Sequence, residues 1–322
     1  MKAPWFWQTG GIVPLMLSPF AAVTGVLTAR RVSRPGWRAP AMVICVGNAT
    51  VGGTGKTPLV ADIAVRLSAW GGNVHVLTRG HGGRARGVVR VDTLAHTALD
   101  VGDEPLLLAR VAPVWVGADR EASARAAIAA GADLLVMDDG LQNPGLVKDF
   151  SVLVVDGETG FGNGRLLPAG PLREKPWKAA ERCAAAVFMG EPVSGAGAML
   201  PPSLPRLFAR LVPDGDMNAL HGRRVFAFAG IGRPQKFLAS LAEAGAHVVA
   251  SKGFADHHRY GRREIEAVKK KAERLSAVPV TTWKDYVRLP REWRDGIQAV
   301  GVRLEWRDQA AWEELLRRTT AF

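Results

Sequence analysis

Cysteine is scarce in this chain, with two residues in 322, and that excludes a disulfide framework. Cys45 sits in an apolar run and Cys183 in an alanine-rich stretch far along the chain, which suits a reducing compartment. Zinc-finger spacing and an aromatic-glycine RNA signature are both missing, so nucleic acid is not the expected partner. No internal repeat occurs. Acidic residues are in deficit, 30 against 42 lysines and arginines, leaving a formal charge of +12. Something anionic is therefore expected nearby, and the excess alone does not choose among nucleic acid, lipid and phosphorylated substrate.

Charge is absent altogether between Lys2 and Arg30. That run is long enough to cross a bilayer, but Pro14, Pro19 and several polar residues interrupt it, and Trp5, Phe6 and Trp7 favour interfacial depth. Arg30, Arg31, Arg34 and Arg38 follow as a basic collar for anionic headgroups. Residues 1–38 are thus expected to be a hydrophobic, membrane-associated segment; a buried helical hairpin is the alternative. A cleaved signal peptide fits less well, because Lys2 is a thin positive region.

Beyond the collar, "AMVICVGN" reads as a strand, and "TPLVADIAVRLSAWG" has helical spacing through Leu59, Ile63 and Leu67. Apolar runs recur at "NVHVLT", "APVWVG", "ADLLVMDDG", "FSVLVVDG" and "AAAVFMG", separated by helical stretches. The alternation predicts an α/β fold, P-loop NTPase-like, with a mostly parallel sheet covered by helices on both faces. The core is expected over 39–205, ending in the Pro/Gly/Ser-rich stretch from Glu191 to Pro205. A second, smaller α/β domain is expected over 217–296. Segments 206–216 and 297–306 would form a two-stranded linker, and a helix over 307–322 would return to the core.

Between the first strand and helix lies "GNATVGGTGKTPLV". An ordinary P-loop has glycine where Thr50 stands. Even so, Gly52, Gly53, Thr54, Gly55, Lys56 and Thr57 can wrap nucleotide phosphates with backbone N–H groups, Lys56 can reach their oxygens, and the Thr57 hydroxyl can hold Mg²⁺. The loop resembles the variant found in nitrogenase-iron-protein and cell-division ATPases, although Val51 replaces their lysine. "LLVMDDG" delivers Asp138 at a strand end, where a carboxylate can bind Mg²⁺ or its waters, and Asp139 must point elsewhere if the strand continues. Asp103 and Glu104 of "VGDEPLLLAR" read most simply as first-turn acidic residues. His257 and His258 of "FADHHRYG" lack further ligands at zinc spacing. The glycine-rich 157–174 loop could face a substrate or merely connect, and Gln235 in "AGIGRPQ" spoils a dinucleotide fingerprint.

Taken together, "VGNATVGGTGKTP", "TRG", "GDEP", "GADR", "DDGLQ", "GNGRLLPAGPLRE", "FAGIGRPQKF" and "FADHH", running in order from Val46 to His258, resemble the tetraacyldisaccharide 4'-kinases of lipid A biosynthesis. The resemblance implies transfer of the ATP γ-phosphate to the 4'-hydroxyl of an acylated glucosamine disaccharide 1-phosphate. It places the enzyme at the cytoplasmic face of the bacterial inner membrane, attached through its N-terminal segment to an anionic surface, with Mg²⁺ and no obligatory protein partner. It makes Asp103 the base, paired with His257, and sets Glu104 near the metal with Asp138 and Asp139. Gln142 joins the nucleotide site, and Arg79 and Arg120 lie near phosphates. His81, Asn143-Pro144 and Lys175 depart from the family pattern. The competing expectation is a nucleotide-switched membrane ATPase with a protein partner; a soluble small-molecule kinase would leave the N-terminal segment unexplained.

Overall fold

The computed structural model describes residues 4–193 and 195–320. Lys2, at the head of the uncharged segment, lies outside the described residues, as does the end of the C-terminal stretch. Strands β1 (Met42–Gly47), β2 (Val74–Thr78), β3 (Val89–Arg90), β4 (Val114–Val116), β5 (Leu134–Asp138), β6 (Phe150–Asp156), β7 (Ala185–Met189) and β8 (Arg206–Pro213) come first. Strands β9 (Arg224–Ala229), β10 (His247–Gly253), β11 (Val278–Thr282) and β12 (Gln298–Val300) follow, and β13 (Val302–Trp306) completes the set. One sheet has the order β13-β8-β7-β6-β1-β5-β2-β4-β3; the other is β10-β9-β11-β12. In the large sheet every pairing from β8 through β4 is parallel, and only the edge strands β13 and β3 run antiparallel.

Parallel strands buried on both faces carry near-continuous apolar runs, and β1 shows how they are used. Ile44 and Val46 point to one face, where they pack with Leu59 and Ile63 of the helix Lys56–Ala69 and with Trp312 and Leu316 of the helix Gln309–Thr320. Val43 and Cys45 point to the other, against Ala124 and Ala127 of the helix Arg120–Ala129. The small sheet is built likewise: Val225 and Ala227 meet Phe237 and Leu241 on one side, while Phe226 and Phe228 meet Ile265 and Val268 on the other.

The junction between the sheets differs from the expected linker. Ala209–Pro213 pairs antiparallel with Val302–Trp306, but Arg206–Ala209 pairs parallel with β7, so the core sheet continues past the Pro/Gly/Ser-rich stretch. Residues 298–300 belong to the small sheet. A single long strand serves both ends: Leu207 and Ala209 in its first half are buried, whereas its second half is half-exposed or exposed. The helix Gln309–Thr320 lies on the core, where the Trp312 indole N–H donates to Asp62 at 2.9 Å.

The N-terminal segment forms the helices Ile12–Met16 and Ser18–Val32. It rests on the 157–172 loop: Asn163 Nδ2 donates to the Phe6 carbonyl at 2.9 Å and Arg165 Nη1 to Ser18 Oγ at 2.8 Å. Ile12, Leu15, Met16, Phe20, Val23 and Leu27 stay exposed, so the segment is not the buried hairpin considered above. Fifteen helical residues reach about 22 Å, less than the ~30 Å of a hydrocarbon core. Among the described residues no helix is long and apolar enough to cross a membrane.

Candidate functional site

The helix Lys56–Ala69 begins on Gly55, whose φ of +86° is left-handed and whose added Cβ would lie 2.9 Å from Met189 Cγ. Thr50 has a constructive role in the loop before it. The buried Asn48 amide donates to the hydroxyls of Thr50 (3.3 Å) and Thr54 (3.1 Å), and the Val51 N–H donates to the Pro171 carbonyl at 2.8 Å. A side chain with a hydroxyl thus ties the loop to its neighbour where an ordinary P-loop has glycine.

β5 delivers Asp138 to the same place. It is buried, and one of its oxygens, Oδ1, has no hydrogen-bond partner. Burial, reinforced by the charge of Glu104, pushes its carboxyl up to about 7, against the opposing pull of Lys56. Asp139 turns away: at φ +53° its carboxylate receives Arg173 at 2.9 Å and lies 3.6 Å from Lys56 Nζ. Those charges outweigh burial and hold it below the usual carboxylate range. Gln142 also faces inward, donating to the Asn48 carbonyl at 2.9 Å and to Glu174 at 2.8 Å. The expected metal set of Thr57, Asp138, Asp139 and Glu104 is therefore not assembled as a cage. Among the described residues no three His, Cys, Asp or Glu side chains converge on one point, and Asp139 is paired with Lys56 and Arg173.

Arg120, at the start of its helix, is buried with its Nε unpartnered and Nη1 donating to the Gly117 carbonyl. Burial lowers its pKa while Asp138 and Asp139 oppose the shift. Arg79 faces the same cleft.

The opposite wall comes from the small domain. His257 stands in left-handed backbone, φ +57°, a conformation non-glycine residues seldom adopt outside functional turns. Its N–H is held by the Gly230 carbonyl at 3.2 Å, and a Cβ at Gly230 would lie 2.9 Å from the Ala255 carbonyl. His257 Nδ1 lies 3.2 Å from Oδ2 of the buried Asp103 in the large domain. Arg288 Nε donates to that same oxygen at 3.0 Å, and Nη2 reaches it as well. Burial alone would raise the Asp103 pKa, but His257 and Arg288 together hold it well below the carboxylate range. One cleft of 2660 Å³ takes in the glycine loop, Lys56, Thr57, Arg79, Asp103, Glu104, Arg120, Asp138, Asp139, Gln142, His257 and Arg288.

The sequence matches the family model described as tetraacyldisaccharide-1-P 4'-kinase over residues 13–321. The chain belongs to this kinase family. It is 52% identical over 318 residues to the tetraacyldisaccharide 4'-kinase of Gluconacetobacter diazotrophicus, covering 98% of this chain and 97% of that one. The corresponding enzyme of Rhodospirillum centenum is 51% identical over 324 residues, covering 98% and 96%. In fold the chain is similar to LpxK from Aquifex aeolicus, solved in complex with ATP, with a TM-score of 0.76 and 24% identity, covering 96% of this chain and 100% of that one.

Sequence reasoning missed several residues in the site of this kinase family member. Arg288 and Asp285 lie in "WKDYVRLP", which carries no motif and no periodicity that separates them from surface charge. Tyr260, Asn48 and Arg173 stood inside quoted motifs; Tyr260 and Arg173 bond side chains 25 and 34 residues away, whereas Asn48 bonds hydroxyls within its own loop.

Proposed function

We propose that this chain transfers the γ-phosphate of ATP to the 4'-hydroxyl of an acylated glucosamine disaccharide 1-phosphate, at the surface of the bacterial inner membrane. The observation that carries this reading is the single cleft in which a glycine loop with its lysine faces an Asp103–His257 pair contributed by two domains. A pure ATPase has no need of a second domain that brings a histidine onto a carboxylate opposite the phosphate loop.

The backbone N–H groups of Gly52 to Thr57 cradle the phosphates, and Lys56 stabilises charge on the transferring group. Asp103 has one oxygen engaged by His257 and Arg288; among the described residues the other accepts the Glu104 N–H alone, at 3.1 Å. Its low pKa keeps it ionised throughout the neutral range, so it can orient the sugar hydroxyl and accept its proton. As that proton leaves, the hydroxyl oxygen bonds to the γ-phosphorus, the bond to the bridging oxygen breaks, and ADP departs. A divalent cation fits Asp138, whose buried Oδ1 lacks any partner, together with the Thr57 hydroxyl and with Glu104 close by. Mg²⁺ held there would neutralise phosphate charge. Arg79 and Arg120 serve the phosphates, and Gln142 and Asp139 set the shape of the loop through Asn48 and Lys56.

The N-terminal helices present their exposed apolar side chains to the bilayer, with Arg30, Arg31 and Arg34 at the headgroups, in an interfacial rather than spanning mode. Incubating the purified protein with ATP, Mg²⁺ and tetraacyldisaccharide 1-phosphate in detergent micelles tests the assignment. The expected product has gained one phosphate, located at the 4' position by NMR; absence of that product sinks the assignment.

A further inference from the structure

The Asp103–His257 pair spans two domains, and its alignment depends on what holds those domains in register. Arg288 is the group in contact with both partners. Its side chain and that of Asp103 are almost entirely buried. At one end Nη1 donates to Asp285 Oδ1 at 2.9 Å and to the Gly230 carbonyl at 2.8 Å. At the other, Nε and Nη2 reach Asp103 Oδ2, and Nη2 lies 3.3 Å from His257 Nδ1.

The small-domain end is fixed independently of the contact with Asp103. Asp285 is fully buried, and its Oδ1 accepts the Gly230 N–H at 3.0 Å and the Tyr260 hydroxyl at 2.8 Å, while Oδ2 accepts the Thr282 hydroxyl at 2.8 Å. The Gly230 carbonyl that receives Arg288 also receives the His257 N–H. One carbonyl therefore references both the guanidinium and the histidine backbone. A planar guanidinium with fixed donor directions suits such a task, whereas a flexible ammonium is a point charge.

We propose that Arg288 is a positioning residue for phosphoryl transfer: anchored on Asp285 and Gly230, it sets Asp103 and His257 in register when the domains meet. This rests on the reading of Asp103 as proton acceptor given above. Arg288 and His257 converge on Oδ2, so that Oδ1, which takes the Glu104 N–H, keeps a lone pair for the acceptor hydroxyl. Besides these two, Lys284 adds positive charge near Asp103, and Asp285 and Tyr260 face Arg288 from within the small domain.

The test is steady-state kinetics of the full-length enzyme with ATP and acceptor lipid, for R288K, R288Q, D103N and the double variant D103N/R288Q, with thermal melting of each. R288Q is expected to lose about 10–100-fold in kcat, the range typical of partners that orient a functional side chain, with the KM for ATP little changed. R288K should recover part of the loss. In the D103N background, R288Q should cost almost nothing further. Equal losses from R288Q in both backgrounds, or a KM for ATP raised in step with the fall in kcat and a lowered melting point, would show a merely structural ion pair and overturn the proposal. Undiminished kcat in D103N would overturn the proton-acceptor reading itself and this proposal with it; an impaired D103N with an additive R288Q overturns the proposal alone.

Discussion

Asp138 offers a quantitative pH test, because its carboxyl is raised to about 7 while one of its buried oxygens has no partner. A cation that binds only the ionised form competes with a proton. With a midpoint near 7 the ionised fraction climbs from about one-tenth at pH 6 to about nine-tenths at pH 8, so cation affinity should rise about tenfold, or ~1.4 kcal/mol. The ligand-free protein should show the opposite trend. A folded-state value raised above the ordinary 3.8 contributes stability at low pH that is lost as pH rises through the folded value. Asp138 alone therefore costs on the order of 4 kcal/mol by about pH 7, with little further change above it. The assay is thermal unfolding and calorimetric titration with Mg²⁺ and a non-hydrolysable ATP analogue at pH 6, 7 and 8, for the parent and D138N. The variant carries whatever titration the nucleotide brings, so the difference between the two slopes is the signal. Mg²⁺-dependent stabilisation with the same pH slope in both proteins would refute the reasoning.

Asp103→Asn should lower kcat by ~10²–10⁴, the usual contribution of a positioned base, while nucleotide titration stays near parent affinity; an equal loss in both would mark Asp103 as structural. Removing residues 1–29 deletes the exposed Ile12, Leu15, Met16, Phe20, Val23 and Leu27, and should release the protein from anionic liposomes; unchanged sedimentation contradicts interfacial anchoring. Trp312→Ala empties a fully buried site where the indole stacks 4.4 Å from Trp306 and donates to Asp62. It should cost ~3–5 kcal/mol in denaturant unfolding, and a loss below about 1 kcal/mol would show that the terminal helix is not part of the core.

What could be read in the sequence was local. Apolar runs ending in glycine or aspartate mark β1, β5 and β6, because buried parallel strands need side chains apolar on both faces. The helix Lys56–Ala69 follows from Leu59, Ile63 and Leu67 at helical spacing. Pairing was less legible. β8 serves two neighbours along its length, and nothing in "RLFARLVP" separates the residues that meet β7 from those that meet β13. β12 and β13 are divided at Gly301, although "QAVGVRLEW" reads as one run.

The site divides in the same way. Lys56, Thr57 and Asp138 follow from strand-end and loop chemistry, whereas Asp103 taken alone reads as an ordinary first-turn acid. Its pairing with His257, 154 positions later in the chain, follows from the family resemblance and not from its local sequence, and the two side chains lie 3.2 Å apart. Arg288 depends on contacts 185 and 58 residues away, a separation at which sequence carries no signal of partnership. Asp139 shows the reverse: beside Asp138 it looks like a second ligand, yet a left-handed backbone swings it onto Lys56 and Arg173.

The most direct measurement is the ratio of ATP consumed to phosphorylated lipid formed, followed in one reaction with and without the acylated disaccharide 1-phosphate. Phosphoryl transfer predicts negligible ATP turnover without acceptor and one phosphorylated lipid for each ATP consumed when it is present. ATP hydrolysis that proceeds without acceptor, or that responds to a protein partner and yields no phosphorylated lipid, would contradict it.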